Sequence, residues 1–155
     1  MEHIIDSPTR ISRNKTQAGA DVSSPAYQAY QILHAGFVVA PIVAGVDKFF
    51  NLLVNWEQYI PSFVNKMVGG HGRELMLVAG VIEIIAGLGV LFKPKVFAYV
   101  VSAWLLMIVV NLLMIPGYYD IALRDFGLAL AALALARLSQ KFDQPRMKSS
   151  PFLSE

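Results

Sequence analysis

Apolar residues fall into long blocks separated by short polar punctuation. From Ile32 to Val54 the chain is apolar apart from His34, Asp47, Lys48 and Asn51. Those 23 residues, rising about 1.5 Å each, are long enough for a bilayer core of roughly 30 Å. Leu75 to Phe92 is broken only by Glu83 and ends at a Lys93-Pro94-Lys95 turn, and Val96 to Ile115 carries no charge before Pro116-Gly117 closes it. Ile121 to Leu138 opens with Arg124 and Asp125 and continues as a Leu/Ala run of good helix formers, the least hydrophobic of the four blocks. Between the first two blocks, Trp56, Tyr59 and Phe63 read as interface aromatics. There Pro61 can open a short helix with Ile60, Phe63, Val64 and Met67 on one side. The pattern predicts an all-α integral membrane protein, a four-transmembrane-helix bundle with a short interfacial helix between helices 1 and 2. Residues 28–138 form the transmembrane domain, and residues 1–27 and 139–155 read as polar tails.

Composition agrees with lipid as the solvent. Of 155 residues, 55% are hydrophobic and 15% charged, against about a quarter charged in soluble domains. A formal charge of +2 gives no footing for counterion-driven nucleic-acid binding. The absence of Cys excludes disulfides, thiolate chemistry and Cys-ligated metals. Four spans put both termini and the 93–95 turn on one side, with nine basic residues there against Lys66 and Arg73 in the opposite loops. By the positive-inside rule both termini are cytoplasmic and the 55–74 loop faces outward.

With that topology, every intramembrane polar group falls at one level, roughly 6 to 14 Å from the outer boundary. The candidate buried polar cluster or ligand pocket is Asp47, Lys48, Glu83, Asn111, Arg124 and Asp125. Small residues share the carboxylates' helix faces: Gly36, Ala40 and Ala44 with Asp47, Gly80 and Gly87 with Glu83, and Ala129, Ala132 and Ala136 with Asp125. Such stripes mark close helix contacts, so the acids are expected to meet inside the bundle. Two cations against three carboxylates leave one negative charge over, and Glu83, the deepest, is expected to be protonated or to hold a ligand. Asp47 and Lys48 lie about 100° apart on a helix, so Lys48 is expected to snorkel outward while Asp47 turns in. The cluster can be a structural salt-bridge knot, a pocket for a group such as a quinone head, or part of an ion path. His34 reads as an interface histidine, Trp104 and Met107 as packing residues, and His71 with Arg73 and Glu74 as a solvated loop. No metal site and no catalytic residue are predicted.

Gly45-Val46-Asp47-Lys48-Phe49, Gly80-Val81-Ile82-Glu83-Ile84-Ile85-Ala86-Gly87 and Arg124-Asp125-Phe126 resemble, in order and spacing, motifs of the DoxX-like family of small bacterial membrane proteins. The resemblance covers about residues 30–138. It implies a four-helix bundle in the bacterial cytoplasmic (inner) membrane and places the family's charged positions on Asp47, Lys48, Glu83, Arg124 and Asp125. It further implies association with redox systems, the family being named for a subunit linked to thiosulfate:quinone oxidoreductase. A non-catalytic accessory subunit of a larger membrane complex, respiratory or otherwise electron-transferring, is the leading expectation. Its partners would be the lipid bilayer and other membrane subunits, with no cofactor of its own. The alternative is a small membrane oxidoreductase component binding quinone or a sulfur substrate at the cluster; a small carrier is a third class.

Overall fold

The computed structural model describes residues 24–143, and the basic residues of the tails (Arg10, Arg13, Lys15, Arg146, Lys148) lie outside them. The described residues are all-helical: α1 (Pro25–Phe50), a 3₁₀ turn (Trp56–Tyr59), α2 (Ser62–Met67), α3 (Gly72–Phe92), α4 (Pro94–Leu113) and α5 (Tyr119–Phe142).

α1 starts seven residues before the predicted block because Ser24 and Pro25 supply a start signal. The Tyr27 amide donates to Ser24 Oγ at 3.3 Å, and Pro25 occupies the first turn, where its missing N–H costs nothing. The helix also ends four residues before Val54. Asn51 adopts the left-handed conformation (φ 52°), which asparagine tolerates better than most residues, and its amide closes on Asp47 O at 2.6 Å. Leu52, Leu53 and Val54 are therefore apolar but not helical. The short helix lies where the pattern put it, with Pro61 as its N-cap, and Gly69 and Gly70 take positive φ to turn the chain into α3. Between α3 and α4 only Lys93 is non-helical, because Pro94 begins α4.

α1 packs on α3 and α5, and α4 on α3 and α5. One apolar core draws on all four long helices: Tyr30 and Phe37 of α1, Ala86 and Val90 of α3, Ala98 and Val101 of α4, and Ala132, Leu135 and Ala136 of α5. It occupies the half nearer the α3–α4 turn, and the other half buries Leu112 and Ala122 together with the polar groups. The α1–α3 contact is close enough to admit only glycine. A Cβ on Gly80 would lie 2.7 Å from Gly45 O, and one on Gly45 would lie 2.5 Å from Gly80 O. Gly87 meets Val38 O and Ile42 in the same way. The Gly80–Glu83–Gly87 and Asp125–Ala129–Ala132–Ala136 faces are buried as expected. The α1 stripe differs: Gly36 and Ala40 are exposed, and no atom stands within 4 Å of a Cβ on Gly36. Helix α1 meets α3 through Val38, Ile42 and Gly45 instead.

Two side chains clasp this pair at opposite ends. Arg73, in the first turn of α3, donates to Lys48 O at 3.1 Å and Phe49 O at 3.0 Å, capping carbonyls that the end of α1 leaves free. His34, low on α1, bonds Val90 O at 3.0 Å and stacks on Tyr30. The residue four beyond Val90 is Pro94, which has no N–H to offer, so His34 satisfies a carbonyl the chain itself cannot.

Three helices, α1, α3 and α4, are long and apolar enough to cross a membrane. Their outward faces carry large hydrophobics open to the surroundings, such as Val39 and Val43 on α1, Val78 and Ile85 on α3, and Val100 and Val110 on α4. Water would not tolerate so continuous an apolar exterior, which marks a membrane protein in a lipid environment. α5 falls short of the same standard, since every 18-residue stretch of it contains at least three charged residues.

Candidate functional site

The cluster forms where α1 ends against the first half of α3. Glu83 and Lys48 meet across the helix pair, Nζ to Oε2 at 2.6 Å, with side chains 11% and 5% exposed. Lys48 Nζ also lies 3.6 Å from the centre of the Trp56 ring, so the ammonium sits between a carboxylate and an aromatic face. The other Glu83 oxygen receives the Trp104 indole N–H from α4 at a long 3.5 Å. Gly80 makes this geometry reachable: a Cβ there would lie 3.2 Å from Lys48 Cβ, so the lysine stem packs over the bare glycine on its way to Glu83.

Asp47 serves the chain reversal. Its Oδ1 accepts from the Leu52 and Leu53 amides at 2.9 and 3.0 Å, and its Oδ2 accepts from Trp56 Nε1 at 2.7 Å. Two amides that would otherwise be orphaned beyond the helix end are satisfied by one carboxylate. Trp56 is the shared wall of the site, donating to Asp47 with its edge while Lys48 lies on its face.

Several sequence expectations change here. Lys48 does not snorkel outward; it is 4% exposed, because Glu83 lies within its reach and burial beside a counter-ion replaces solvation. Asp47 does not enter the bundle interior but caps the loop, since α1 ends three residues after it. Glu83 is no surplus carboxylate, because Lys48 neutralises it. Nor do the three acids join an arginine in one place. Asp125, on α5, is buried but is paired with its neighbour Arg124 at 3.2 Å, and Arg124's side chain is two-thirds exposed. Among the described residues no contact links Asp125 or Arg124 to Glu83. Asn111 also stands apart, donating to Tyr59 O at 2.7 Å and so tying the end of α4 to the 3₁₀ turn. Tyr118 hydroxyl and Gln58 strengthen that tie at 3.2 Å, with the Tyr59 and Tyr118 rings edge to face.

Three residues of the site escaped the sequence reading. Trp56 and Trp104 each have a packing or interface role that conceals a donor, and Arg73 looked like part of a solvated loop. Only the general rule that a buried indole N–H seeks an acceptor could have pointed to the tryptophans. His71 and Glu74 form an exposed pair at 3.6 Å. No group of three His, Asp or Glu able to hold a metal occurs among the described residues.

Two hollows flank the cluster. One, about 330 Å³ and almost wholly apolar, runs along α1 between Ile42, Val46, Phe50 and the Leu52–Leu53 turn. The other, about 280 Å³ and polar, lies outside it between Glu57, Lys66 and Gly72. Neither is lined by Glu83 or Arg124. Asp47 lines the apolar hollow, and the charged atoms of Lys48 and Glu83 are engaged with each other. In comparisons with known proteins, no family model, no curated protein and no solved structure matches the chain.

Proposed function

We propose that this chain is a four-span, DoxX-like protein of the bacterial cytoplasmic membrane, with both termini inside, acting as a non-catalytic subunit of a larger membrane assembly. The observation that carries the reading is the Lys48–Glu83 pair: buried, 2.6 Å long and roofed by Trp56, it uses up the groups a reaction would need. A charge pair closed in this way joins α1 to α3. The fourth span is α5. Its charges gather at its two ends, Asp120, Arg124 and Asp125 at one and Arg137 and Lys141 at the other, with none from Phe126 to Ala136. The buried Ala129, Ala132 and Ala136 lie on its inner face, and the Ser102 hydroxyl of α4 donates to Ala129 O at 2.9 Å.

The test is extraction of the tagged chain from its native membrane in a mild detergent, followed by native mass spectrometry. The reading expects discrete complexes of fixed stoichiometry with other membrane polypeptides, weakened when Lys48→Met breaks the pair. A lone chain that carries quinone, and loses it in a folded Glu83→Gln variant, would instead establish the oxidoreductase alternative.

A further inference from the structure

The end of the molecule opposite the cluster carries Lys93, Lys95, Arg137 and Lys141 against a single acidic residue among the described ones there, Asp143. Asp143 interacts electrostatically with Tyr30, on the α1 side. On the α4–α5 side the basic residues are organised by one contact: Gln140 Nε2 donates to the Tyr99 hydroxyl at 2.9 Å, locking the second turn of α4 to the last turn of α5. Lys95 stands four residues before Tyr99 on the same face of α4. Arg137 stands three residues before Gln140 on α5, whereas the Lys141 ammonium lies over the Phe142 ring, 5.1 Å from its centre. The bond therefore brings one cation from each helix, Lys95 and Arg137, beside the Tyr99–Gln140 contact at the surface. Lys95 is half-buried and Arg137 is exposed, so their charged ends are open to a ligand.

We propose that this pair of cations binds the phosphate of an anionic phospholipid, the acyl chains running down the apolar seam of α4 and α5. A guanidinium and an ammonium suit a phosphodiester, and Tyr99 offers a further hydroxyl. The lipid is preferred to a free anion because the two cations stand where the exposed apolar residues Val96, Val100 and Leu133 begin. The inference rests on the membrane-spanning reading and adds a lipid class to it.

The experiment uses the full chain in neutral-detergent micelles, titrated with phosphatidylglycerol or phosphatidylcholine of the same chains, with retained lipid read by native mass spectrometry. Phosphatidylglycerol should bind at one site. The double variant Lys95→Gln/Arg137→Gln should weaken it about 20- to 30-fold, two cations' worth at a membrane surface, while the distant Lys66→Gln leaves it unchanged. Inorganic phosphate at millimolar concentration should not displace it. Equal retention of the two lipids, an unaffected double variant, or displacement by phosphate would overturn the proposal. A separate flotation with phosphatidylcholine vesicles isolates the underlying reading: a chain that does not float is not a membrane protein, and both ideas fall together.

Discussion

Lys48→Met removes the cation and leaves Glu83 facing an apolar thioether, with the Trp104 N–H at 3.5 Å as its remaining donor. Breaking a buried ion pair from one side costs about 3–5 kcal/mol in protein interiors. Glu83→Gln strands the ammonium instead and should cost a similar amount. Lys48→Met/Glu83→Leu removes both charges at similar volume and is expected to lie within about 1 kcal/mol of the parent. The assay is reversible unfolding in mixed micelles at pH 7, followed by tryptophan fluorescence; Trp56 and Trp104 both border the pair and report on it directly. A Lys48→Met variant within about 0.5 kcal/mol of the parent, or a double variant worse than either single one, would refute the pairing.

Further outcomes follow from the same geometry. Gly80→Ala places a methyl 2.7 Å from Gly45 O and should cost about 1–3 kcal/mol by forcing α1 and α3 apart. Gly36→Ala, with open space around it, should be neutral or stabilising by up to about 1 kcal/mol; equal effects in thermal unfolding would show that the close approach is not there. Asp47→Ala leaves the Leu52 and Leu53 amides and the Trp56 indole without their acceptor and should cost about 2–4 kcal/mol. Its signature is faster hydrogen exchange confined to residues 51–56, and unchanged exchange there would contradict the capping role. His34→Leu should cost about 1–3 kcal/mol by orphaning Val90 O, measured by the same unfolding assay; a neutral result would mean that water or another donor reaches that carbonyl.

Much of the fold was legible because apolar block length and Pro/Gly punctuation are local signals. Pro94 and Pro116-Gly117 mark the turns in the structure as they do in the sequence. The end of α1 was not legible, because Leu52 to Val54 continue the apolar block and only a left-handed Asn51 stops the helix. That four-residue error carries into the site: with α1 ending at Phe50, the buried Asp47 caps the chain reversal instead of meeting the other acids. Lys48 was misassigned for a different reason. A 100° separation from Asp47 says which faces differ but not which one meets α3, and that is settled by Gly45 meeting Gly80, a contact between residues 35 apart. The grouping of Asp125 with Glu83 rested on equal depth and on small-residue stripes, and the two together place side chains at helix interfaces without bringing them within reach of one another.

On the proposed topology α5 crosses the bilayer despite its charges, putting the Lys48–Glu83 pair beneath the outer face of a four-span protein. The chain contains no cysteine, so single substitutions give a clean background for labelling. Gly70→Cys, Lys93→Cys and Gln140→Cys should be treated in intact spheroplasts with a membrane-impermeant maleimide. On that topology position 70 reacts from outside, and positions 93 and 140 react only after the membrane is opened. Labelling of position 140 together with position 70 would mean three crossings and would contradict it.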